Sequence, residues 1–258
     1  MCNHYKEKIT TKILSNKTIA DNVYEMQLTV PSIVKEARAG QFVNLYLKDE
    51  SKLLPRPISI CEVDIQTNIL TLVYAVFGEG TRIISGYMAG SDIQIMGPFG
   101  NGYELTEGGT HLLVGGGVGT PPLVELAKRL SGEIIVVVGF KSETYLVEEL
   151  KKYATVYVAT DDGSTGFHGT VVDVLDAHNL RTGKVYACGP KPMLKALQNW
   201  VEESQLEAQL SLEERMGCGF GACVGCVVKV ISDNEAGYDY KKVCVDGPVF
   251  NSKEVIFS

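Results

Sequence analysis

The sequence predicts a multi-domain β + α/β protein, with a small antiparallel β-barrel first, a parallel sheet second and a small cysteine-rich unit last. Three observations predict this order: short strands fill the N-terminal part, strands then alternate with amphipathic helices, and a loop of glycines and cysteines opens the C-terminal part. A chain of 258 residues is long enough for two or three such units. We place the units at residues 1–101, 102–206 and 207–258.

Four segments of the first unit have the composition of β-strands. They are short, rich in β-branched and aromatic residues, and separated by glycine, proline and asparagine. Short strands at this spacing favour a small antiparallel barrel. Turn-forming residues are concentrated at 97–102 and the pattern changes after them, which predicts a domain boundary there. The four segments are 23–30, 42–47, 69–76 and 92–96.

The second unit alternates between strands and helices. The apolar run 112–114 leads through glycines into two prolines, and apolar residues then recur at helical spacing, at Leu123, Leu126, Ala127 and Leu130. Further strands are predicted at 134–139, 155–160 and 184–187, with helical patterns between them. This alternation indicates a parallel sheet covered by helices on both faces.

Charge and hydropathy exclude two classes of partner. The net charge is −7 and the basic residues are scattered, so nucleic acid is not an expected partner. The first eight residues lack the apolar segment of a secretory leader, and no window approaches the roughly 18 apolar residues of a membrane span. We therefore expect no membrane association and a cytoplasmic location, where closely spaced cysteines are more often metal or redox ligands than disulfides.

The third unit contains the most specific motif. Cys218, Cys223, Cys226 and Cys244 have the spacing C-x4-C-x2-C-x17-C, and the first three match the plant-type [2Fe-2S] pattern. Glycines between them suit a backbone that wraps an inorganic core. A zinc site of four cysteines is the alternative, although paired C-x2-C motifs are commoner there. The long last interval leaves the fourth ligand least certain. The alternatives for that position are Cys2, Cys61 and Cys188.

Two motifs of the first unit favour a flavin. In the run 56–60, an arginine beside a rigid proline can pair a pyrophosphate, and the Ser59 hydroxyl can reach a ring heteroatom. Alone, this run would indicate only a turn. The second motif, Phe-Gly-Glu-Gly-Thr at 77–81, opens a predicted helix, where exposed N–H groups suit a phosphate. Together they predict one dinucleotide-sized flavin.

A second glycine turn lies at 115–121, between a strand and a helix, and predicts another pyrophosphate site. It departs from G-x-G-x-x-G, because Thr120 stands where the last glycine would fall, and no acidic residue ends the strand 134–139. Downstream, Cys188-Gly189-Pro190 follows another strand and could face a nicotinamide at the same sheet edge. Cys188 could equally be a small buried apolar residue at a strand end.

The order of these motifs resembles the ferredoxin reductase superfamily over essentially the whole chain. The segments 214–223 and 243–249 more closely resemble the cluster segments of the electron-transfer subunits of type B dihydroorotate dehydrogenases. The resemblance implies a six-stranded antiparallel FAD-binding β-barrel over 1–101, a parallel-sheet NAD-binding domain over 102–206 and a [2Fe-2S] domain over 207–258.

The resemblance also implies which residues bind each cofactor. Asp161 and Asp162 fall where NADP-using relatives carry a Ser-Arg pair, and two carboxylates there would repel a 2′-phosphate, so we predict NAD over NADP. Cys188 is the candidate catalytic residue near the nicotinamide. FAD is expected on Arg56, Pro57, Ile58, Ser59, Val73, Tyr74, Ala75, Gly80 and Thr81. NAD is expected on Gly115, Gly116, Gly117, Gly119, Thr120, Pro121, Asp161, Gly189 and Pro190. The cluster is expected on Cys218, Cys223, Cys226 and Cys244.

The implied function is electron transfer from the FMN of a separate dihydroorotate dehydrogenase catalytic subunit, through the [2Fe-2S] cluster and FAD, to NAD+. Nicotinamide takes electrons in pairs and a cluster takes them singly, while a flavin can do both, which fixes the order of the carriers. Two copies of each subunit are expected, with 219–225 at or beside their interface. The alternative is the small subunit of a bifurcating ferredoxin:NADP oxidoreductase or of a sulfur-reducing hydrogenase. A third hypothesis is a non-enzymatic module that binds a structural zinc ion.

Overall fold

The computed structural model describes residues 6–48 and 51–257, and its first unit is a closed antiparallel barrel. The strands are Ile9–Ala20 (β1), Val23–Thr29 (β2), Phe42–Tyr46 (β3), Arg56–Asp64 (β4), Ile69–Ala75 (β5) and Asp92–Phe99 (β6). They pair in the order β1-β2-β5-β4-β3-β6, which confirms the predicted six-stranded barrel. Two short helices, Pro31–Glu36 (α1) and Glu79–Ser85 (α2), join its strands.

Alternation along the strands fills the barrel. On β2 the side chains of Met26 and Leu28 are fully buried, and so are those of Leu70 and Leu72 on β5. These four pair across the two strands, Met26 with Leu72 and Leu28 with Leu70. Residues directly opposite each other on antiparallel strands share a face of the sheet. The interior of the barrel is therefore an apolar core, and its chemistry must lie on its outer face and rim.

The second unit is a seven-stranded sheet with helices on both sides. Its first strands and helices are Thr110–Gly116 (β7), Pro122–Arg129 (α3), Glu133–Phe140 (β8), Val147–Lys151 (α4), Thr155–Thr160 (β9), Phe167–His168 (β10), Val171–Ala177 (α5), Lys184–Cys188 (β11) and Lys191–Glu203 (α6). All of these strands are parallel, as predicted. Among the described residues, no helix has the length and apolar character needed to cross a lipid bilayer.

The C-terminal residues are predicted as a unit of their own at 207–258, and two of their strands join the sheet of the second unit. They form Ala208–Ser211 (β12), Val227–Ile231 (β13), Tyr238–Lys242 (β14) and Val249–Asn251 (β15). The sheet order is β10-β9-β8-β7-β11-β12-β15, so β12 and β15 extend the sheet beyond residue 206, and only β13 and β14 form a small sheet of their own. The physical reason is burial, because Leu210 of β12 and its partner Phe250 of β15 are both in the core.

Helix α3 holds the barrel strand β4 through both main-chain groups of one residue. The buried carboxylate of Glu125 accepts a hydrogen bond from the Val63 N–H (3.0 Å), and the Lys128 ammonium donates to the Val63 carbonyl (2.9 Å). Arg129 pairs with Glu125 at 2.5 Å. A register shift in the β4–β5 pairing precedes this point, between Ile60 and Glu62. The first and second units are therefore joined by directional bonds as well as by apolar packing.

Candidate redox-cofactor site

The β13–β14 hairpin explains the long interval before the last cysteine. Cys226 directly precedes β13 and Cys244 closely follows β14, so the paired strands bring these two cysteines together. Their sulfur atoms are 3.3 Å apart and both side chains are buried. The 17 residues between the two cysteines contain both strands of this hairpin and its turn. This geometry supports Cys244 as the fourth ligand.

Cys218 and Cys223 form a second pair in the loop before the hairpin. The Cys223 N–H lies 3.4 Å from the Cys218 sulfur. Burial raises the pKa of Cys218, but backbone N–H groups of Phe220, Cys223 and Ala222 outweigh this effect and lower the pKa to about 7. A loop that aims amides at a sulfur stabilises a thiolate, which is the form that binds iron.

Two pairs of cysteines fit a [2Fe-2S] cluster better than a single zinc ion. A zinc site needs four ligands around one ion, whereas a [2Fe-2S] cluster spreads four thiolates over two irons. Burial and the neighbouring Cys226 raise the pKa of Cys244 to about 12. The positive charge of iron would reverse that effect, so this pair suits a metal.

The other candidate cysteines are placed elsewhere. Cys61 lies on β4 in the core between the barrel and the sheet, and burial raises its pKa well above the usual range. Cys188 is the last residue of β11, where the carboxyl ends of the parallel strands lie. Cys2 lies outside the described residues. Neither Cys61 nor Cys188 belongs to either of the two cysteine pairs.

The predicted flavin motifs converge at the rim of the barrel. The guanidinium of Arg56, at the start of β4, packs on Gly80 in the first turn of α2, where a Cβ would lie 1.9 Å from the Arg56 Nε. The Thr81 hydroxyl accepts hydrogen bonds from the N–H groups of Phe77 (3.1 Å) and Gly78 (3.3 Å). An arginine lying against a backbone turn of this kind suits a diphosphate. The remaining predicted residues of this run, Pro57, Ile58 and Ser59, follow Arg56 on β4.

The segment 73–75 offers main chain rather than side chains. Val73 and Tyr74 are buried on opposite faces of β5, Val73 towards the parallel sheet and Tyr74 in the barrel. The Tyr74 hydroxyl donates to the Asn16 amide oxygen (2.9 Å), and burial raises the pKa of Tyr74. Asn16 in turn donates to the carbonyls of Ile84 and Tyr87, both at 2.9 Å. This network ties α2 to the barrel, beside Ala75 at the end of β5.

The predicted nicotinamide-nucleotide loops lie side by side at the carboxyl edge of the parallel sheet. Strands β7 and β11 are neighbours, and Cys188 pairs with Gly115. A Cβ at Gly119 would lie 2.2 Å from the Cys188 carbonyl oxygen, so the two turns approach as closely as backbones can. Thr120 is fully buried, and its hydroxyl has no hydrogen-bond partner in the part of the chain described. The carboxyl edge of such a sheet is where nucleotides bind.

The turns carry the other predicted residues. Gly116 and Gly117 complete the first turn, Pro121 precedes α3, and Gly189 and Pro190 precede α6. Burial raises the pKa of Cys188 to about 12, so its sulfur is a neutral thiol at physiological pH. Next to it, the Tyr103 hydroxyl donates to the Ala187 carbonyl (3.0 Å). Cys188 can therefore pack or donate weakly here, but it is not a ready nucleophile.

Asp161 and Asp162 follow β9, two strands from β7 at the same edge. Both side chains are exposed. Hydrogen bonds from Ser164, whose N–H lies 2.9 Å from a carboxylate oxygen, lower the pKa of Asp162. The loop after β9 therefore carries negative charge at neutral pH, two strands from the strand that leads into the glycine turn.

Three polar side chains that hold the site were missed by sequence reasoning. Asn16, Asn44 and Tyr103 are single polar residues that belong to no motif. The only signal was at Asn44, which interrupts the otherwise apolar and aromatic strand β3. Their partners Tyr74, Cys218 and Ala187 lie 58 to 174 residues away in the chain, so no local pattern reveals these contacts.

Known proteins resemble this chain in sequence and in fold. Residues 213–256 match the iron-sulfur cluster binding domain of dihydroorotate dehydrogenase B. The electron transfer subunit of dihydroorotate dehydrogenase B (NAD(+)) from Caldanaerobacter subterraneus subsp. tengcongensis is 43% identical over 251 residues, covering 97% of this chain and 99% of the relative. The subunit of the same name from Fusobacterium nucleatum subsp. nucleatum is 44% identical over 254 residues, covering 93% and 95%.

The solved structure of an NADH-dependent reduced ferredoxin-NADP oxidoreductase, studied for flavin-based electron bifurcation, superposes with a TM-score of 0.86 at 31% identity. The match covers 96% of this chain and 90% of that one. A flavohemoglobin from Malassezia yamatoensis, with a TM-score of 0.63 and 21% identity, shares the fold over 77% of this chain and 57% of its own. By sequence identity over nearly its full length, the chain belongs to the family of electron transfer subunits of NAD+-dependent dihydroorotate dehydrogenase B.

Proposed function

We propose that this chain receives electrons from a separate catalytic subunit that oxidises dihydroorotate, and delivers them to NAD+. The observation that carries the proposal is the presence of two cysteine pairs in a chain with a flavin-reductase fold. This combination supports a one-electron site and a hydride site in the same chain. When bound, the cluster supplies one-electron transfer and FAD converts between single electrons and hydride. The described residues supply the binding and the positioning.

Each unit has a defined task in this proposal. Residues 1–101 hold FAD, with Arg56 and the first turn of α2 on its diphosphate. Residues 102–206 hold NAD, with the turn at 115–121 on its diphosphate and Cys188 to Pro190 beside the nicotinamide. Residues 207–258 hold the cluster on Cys218, Cys223, Cys226 and Cys244. The α3–β4 contact through Glu125 joins the strand of the flavin residues to the helix of the nicotinamide residues, so it would fix the two binding sites relative to each other.

NAD is favoured over NADP by charge. Asp161 and Asp162 repel a 2′-phosphate and can accept hydrogen bonds from a ribose diol. Their replacement by serine and arginine should raise the efficiency with NADPH relative to NADH. Equal efficiency of the unmodified protein with both cofactors would contradict this assignment.

The catalytic partner is expected to be an FMN-containing subunit, with two copies of each chain, in the cytoplasm. Exposed apolar side chains surround the cluster loop, with Phe220 46%, Val224 71% and Val245 47% exposed. Apolar surface beside a redox centre favours docking of a partner there, so we place 219–225 at the interface. Thiol ligands also suit a reducing compartment.

Reconstitution tests the function. Mixed with the catalytic subunit, the chain should couple dihydroorotate oxidation to NAD+ reduction, and Cys223→Ser should abolish NADH formation. Undiminished NADH formation by that variant would remove the cluster from the path. Purification from the native host should recover the FMN subunit with the chain.

A second candidate function is favoured by the 0.86 TM-score to the bifurcating oxidoreductase. In that case the partner would carry its own flavin for ferredoxin and NADP chemistry, without a dihydroorotate site. The identity of the copurifying subunit distinguishes the two. A colourless purified protein would instead support the zinc reading.

A further inference from the structure

Asn44 lies on the barrel strand between the flavin strand and the cluster loop. On β3 it pairs with Pro57 of β4 on one side and with Met96 of β6 on the other. Residues opposite each other on antiparallel strands share a face, so Asn44 and Pro57 point to the same side of the barrel wall. Asn44 is fully buried there, although it belongs to the outer face of the barrel. What covers it is the cluster loop.

Three contacts join Asn44 to this loop and its surroundings. The Asn44 Nδ2 donates to the carbonyl oxygen of Cys218, at 3.3 Å. A Cβ at Gly219 would lie 2.5 Å from Nδ2 and 2.6 Å from Oδ1, and Gly219 has φ +74°, so only glycine permits this approach. Burial raises the pKa of Tyr46, and a hydrogen bond from Asn44 partly offsets that effect. The Asn44 amide thus contacts the backbone of the first cysteine ligand directly.

The amide oxygen of Asn44 is the unusual part of this arrangement. Asn44 Oδ1 is buried and has no hydrogen-bond partner among the residues described. A buried polar atom without a partner destabilises a fold, and natural proteins keep few of them. An apolar residue at this position would avoid the cost, as at the neighbouring Val43 and Leu45.

We propose that Asn44 is a positioning residue for electron transfer, which fixes the Cys218 arm of the cluster loop against the strand that carries the flavin residues. The inference rests on the proposed function, because it assumes a cluster on Cys218 and FAD beside β4. Asn44 acts through the backbone of Cys218 and Gly219 and binds neither cofactor itself. It is a neutral dipole, so it holds the loop without adding charge next to the cluster.

The test uses the full chain, loaded with FAD and iron-sulfur cluster under anaerobic conditions. Asn44→Leu replaces both polar atoms by methyl groups with the same branching, and Asn44→Asp keeps the shape but adds a buried negative charge. Gln209→Leu is the matched control, because the Gln209 amide is also buried but bonds the Glu104 main chain and not the cluster loop. The readouts are iron content, the electron paramagnetic resonance spectrum of the reduced cluster, and its reduction potential.

In Asn44→Leu we expect a changed electron paramagnetic resonance spectrum of the reduced cluster. We also expect the rate of cluster reduction, relative to flavin reduction by NADH in the same sample, to fall about 10-fold to 100-fold. A loss of this size is usual when a residue that supports a metal ligand is removed. In Asn44→Asp the added charge opposes reduction of the cluster. The equilibrium constant for reduction should fall about tenfold, equivalent to about 59 mV for a one-electron centre. Loss of iron from both variants, with full iron in Gln209→Leu, would equally support positioning.

Spectra, potentials and relative rates in both variants equal to those of the unsubstituted chain would overturn the proposal. So would identical changes in the Gln209→Leu control, because they would indicate a general effect of lost packing. If the unsubstituted chain itself shows no [2Fe-2S] signal, the proposed function fails and this inference fails with it. The two failures are thereby distinguished.

Discussion

Replacing Glu125 by alanine should weaken the junction between the flavin strand β4 and the nicotinamide helix α3. The carboxylate is only 1% exposed and accepts the Val63 N–H at 3.0 Å. Without it, that buried N–H has no partner, which costs about 1–3 kcal/mol. Arg129 also loses its partner, but its side chain is 33% exposed and water can solvate it, so this adds little.

The expected loss of unfolding free energy is therefore about 2 kcal/mol, or roughly 4–8 °C in melting temperature for a chain of this size. Urea unfolding followed by circular dichroism measures it. Glu125→Gln keeps an acceptor for the Val63 N–H and should recover about half of the loss. Glu148→Ala is the control, because its carboxylate is exposed and paired only with Lys151 on the same helix.

A Glu125→Ala variant that unfolds at the same urea concentration as Glu148→Ala would refute the reasoning. It would mean that water replaces the carboxylate at Val63 and that apolar packing alone holds the junction. The same variants should also differ in the rate at which NADH reduces the flavin. A loosened junction lowers the hydride-transfer rate more than it raises the KM for NADH, since it disturbs the alignment of the rings rather than the nucleotide pocket.

Three further predictions concern the cofactors. Cys244→Ser should lose most of the iron measured in the purified protein, while Cys61→Ser should retain it, because Cys61 lies in the core between barrel and sheet; equal iron in both would contradict the assignment of the fourth ligand. Gly80→Ala should lower FAD content, because its Cβ would lie 1.9 Å from an arginine nitrogen, whereas Gly78→Ala, whose Cβ meets nothing within 4 Å, should keep FAD. Cys188 should react slowly with iodoacetamide at neutral pH and faster as the pH rises towards 12, since burial raises its pKa to about 12 and the thiolate is the reactive form; rapid labelling near pH 7 on the native protein, detected by mass spectrometry, would contradict this.

Local sequence patterns were enough to predict the strands whose apolar residues follow a regular pattern. The alternation at 23–30 and 69–76 predicts β2 and β5 to within a residue, and 155–160 is β9 as predicted. The first strand, Ile9–Ala20, was missed because its polar residues follow no alternation. This strand forms because it pairs with β2 along one edge and with β6 along the other.

Other features depend on partners far away in the chain. The position of β15 at the edge of the second unit's sheet follows from its antiparallel pairing with β12, and no local pattern distinguishes it from a strand of a separate domain. Cys244 was the least certain ligand because spacing does not reveal that 17 residues fold into a hairpin. Asn44 and Glu125 matter through hydrogen bonds across the junctions between units. Sequence motifs show where cofactors bind, but they do not show what holds those places at fixed distances.

The extension of the parallel sheet by β12 and β15 has a consequence for how electrons travel. The cluster loop and the β13–β14 hairpin lie between these two strands in the sequence and are therefore anchored at both ends to the nucleotide-binding sheet. A carrier anchored in this way cannot swing between donor and acceptor like a tethered shuttle. Internal transfer in this chain should therefore be insensitive to solvent viscosity, and only docking with the catalytic partner should slow in glycerol.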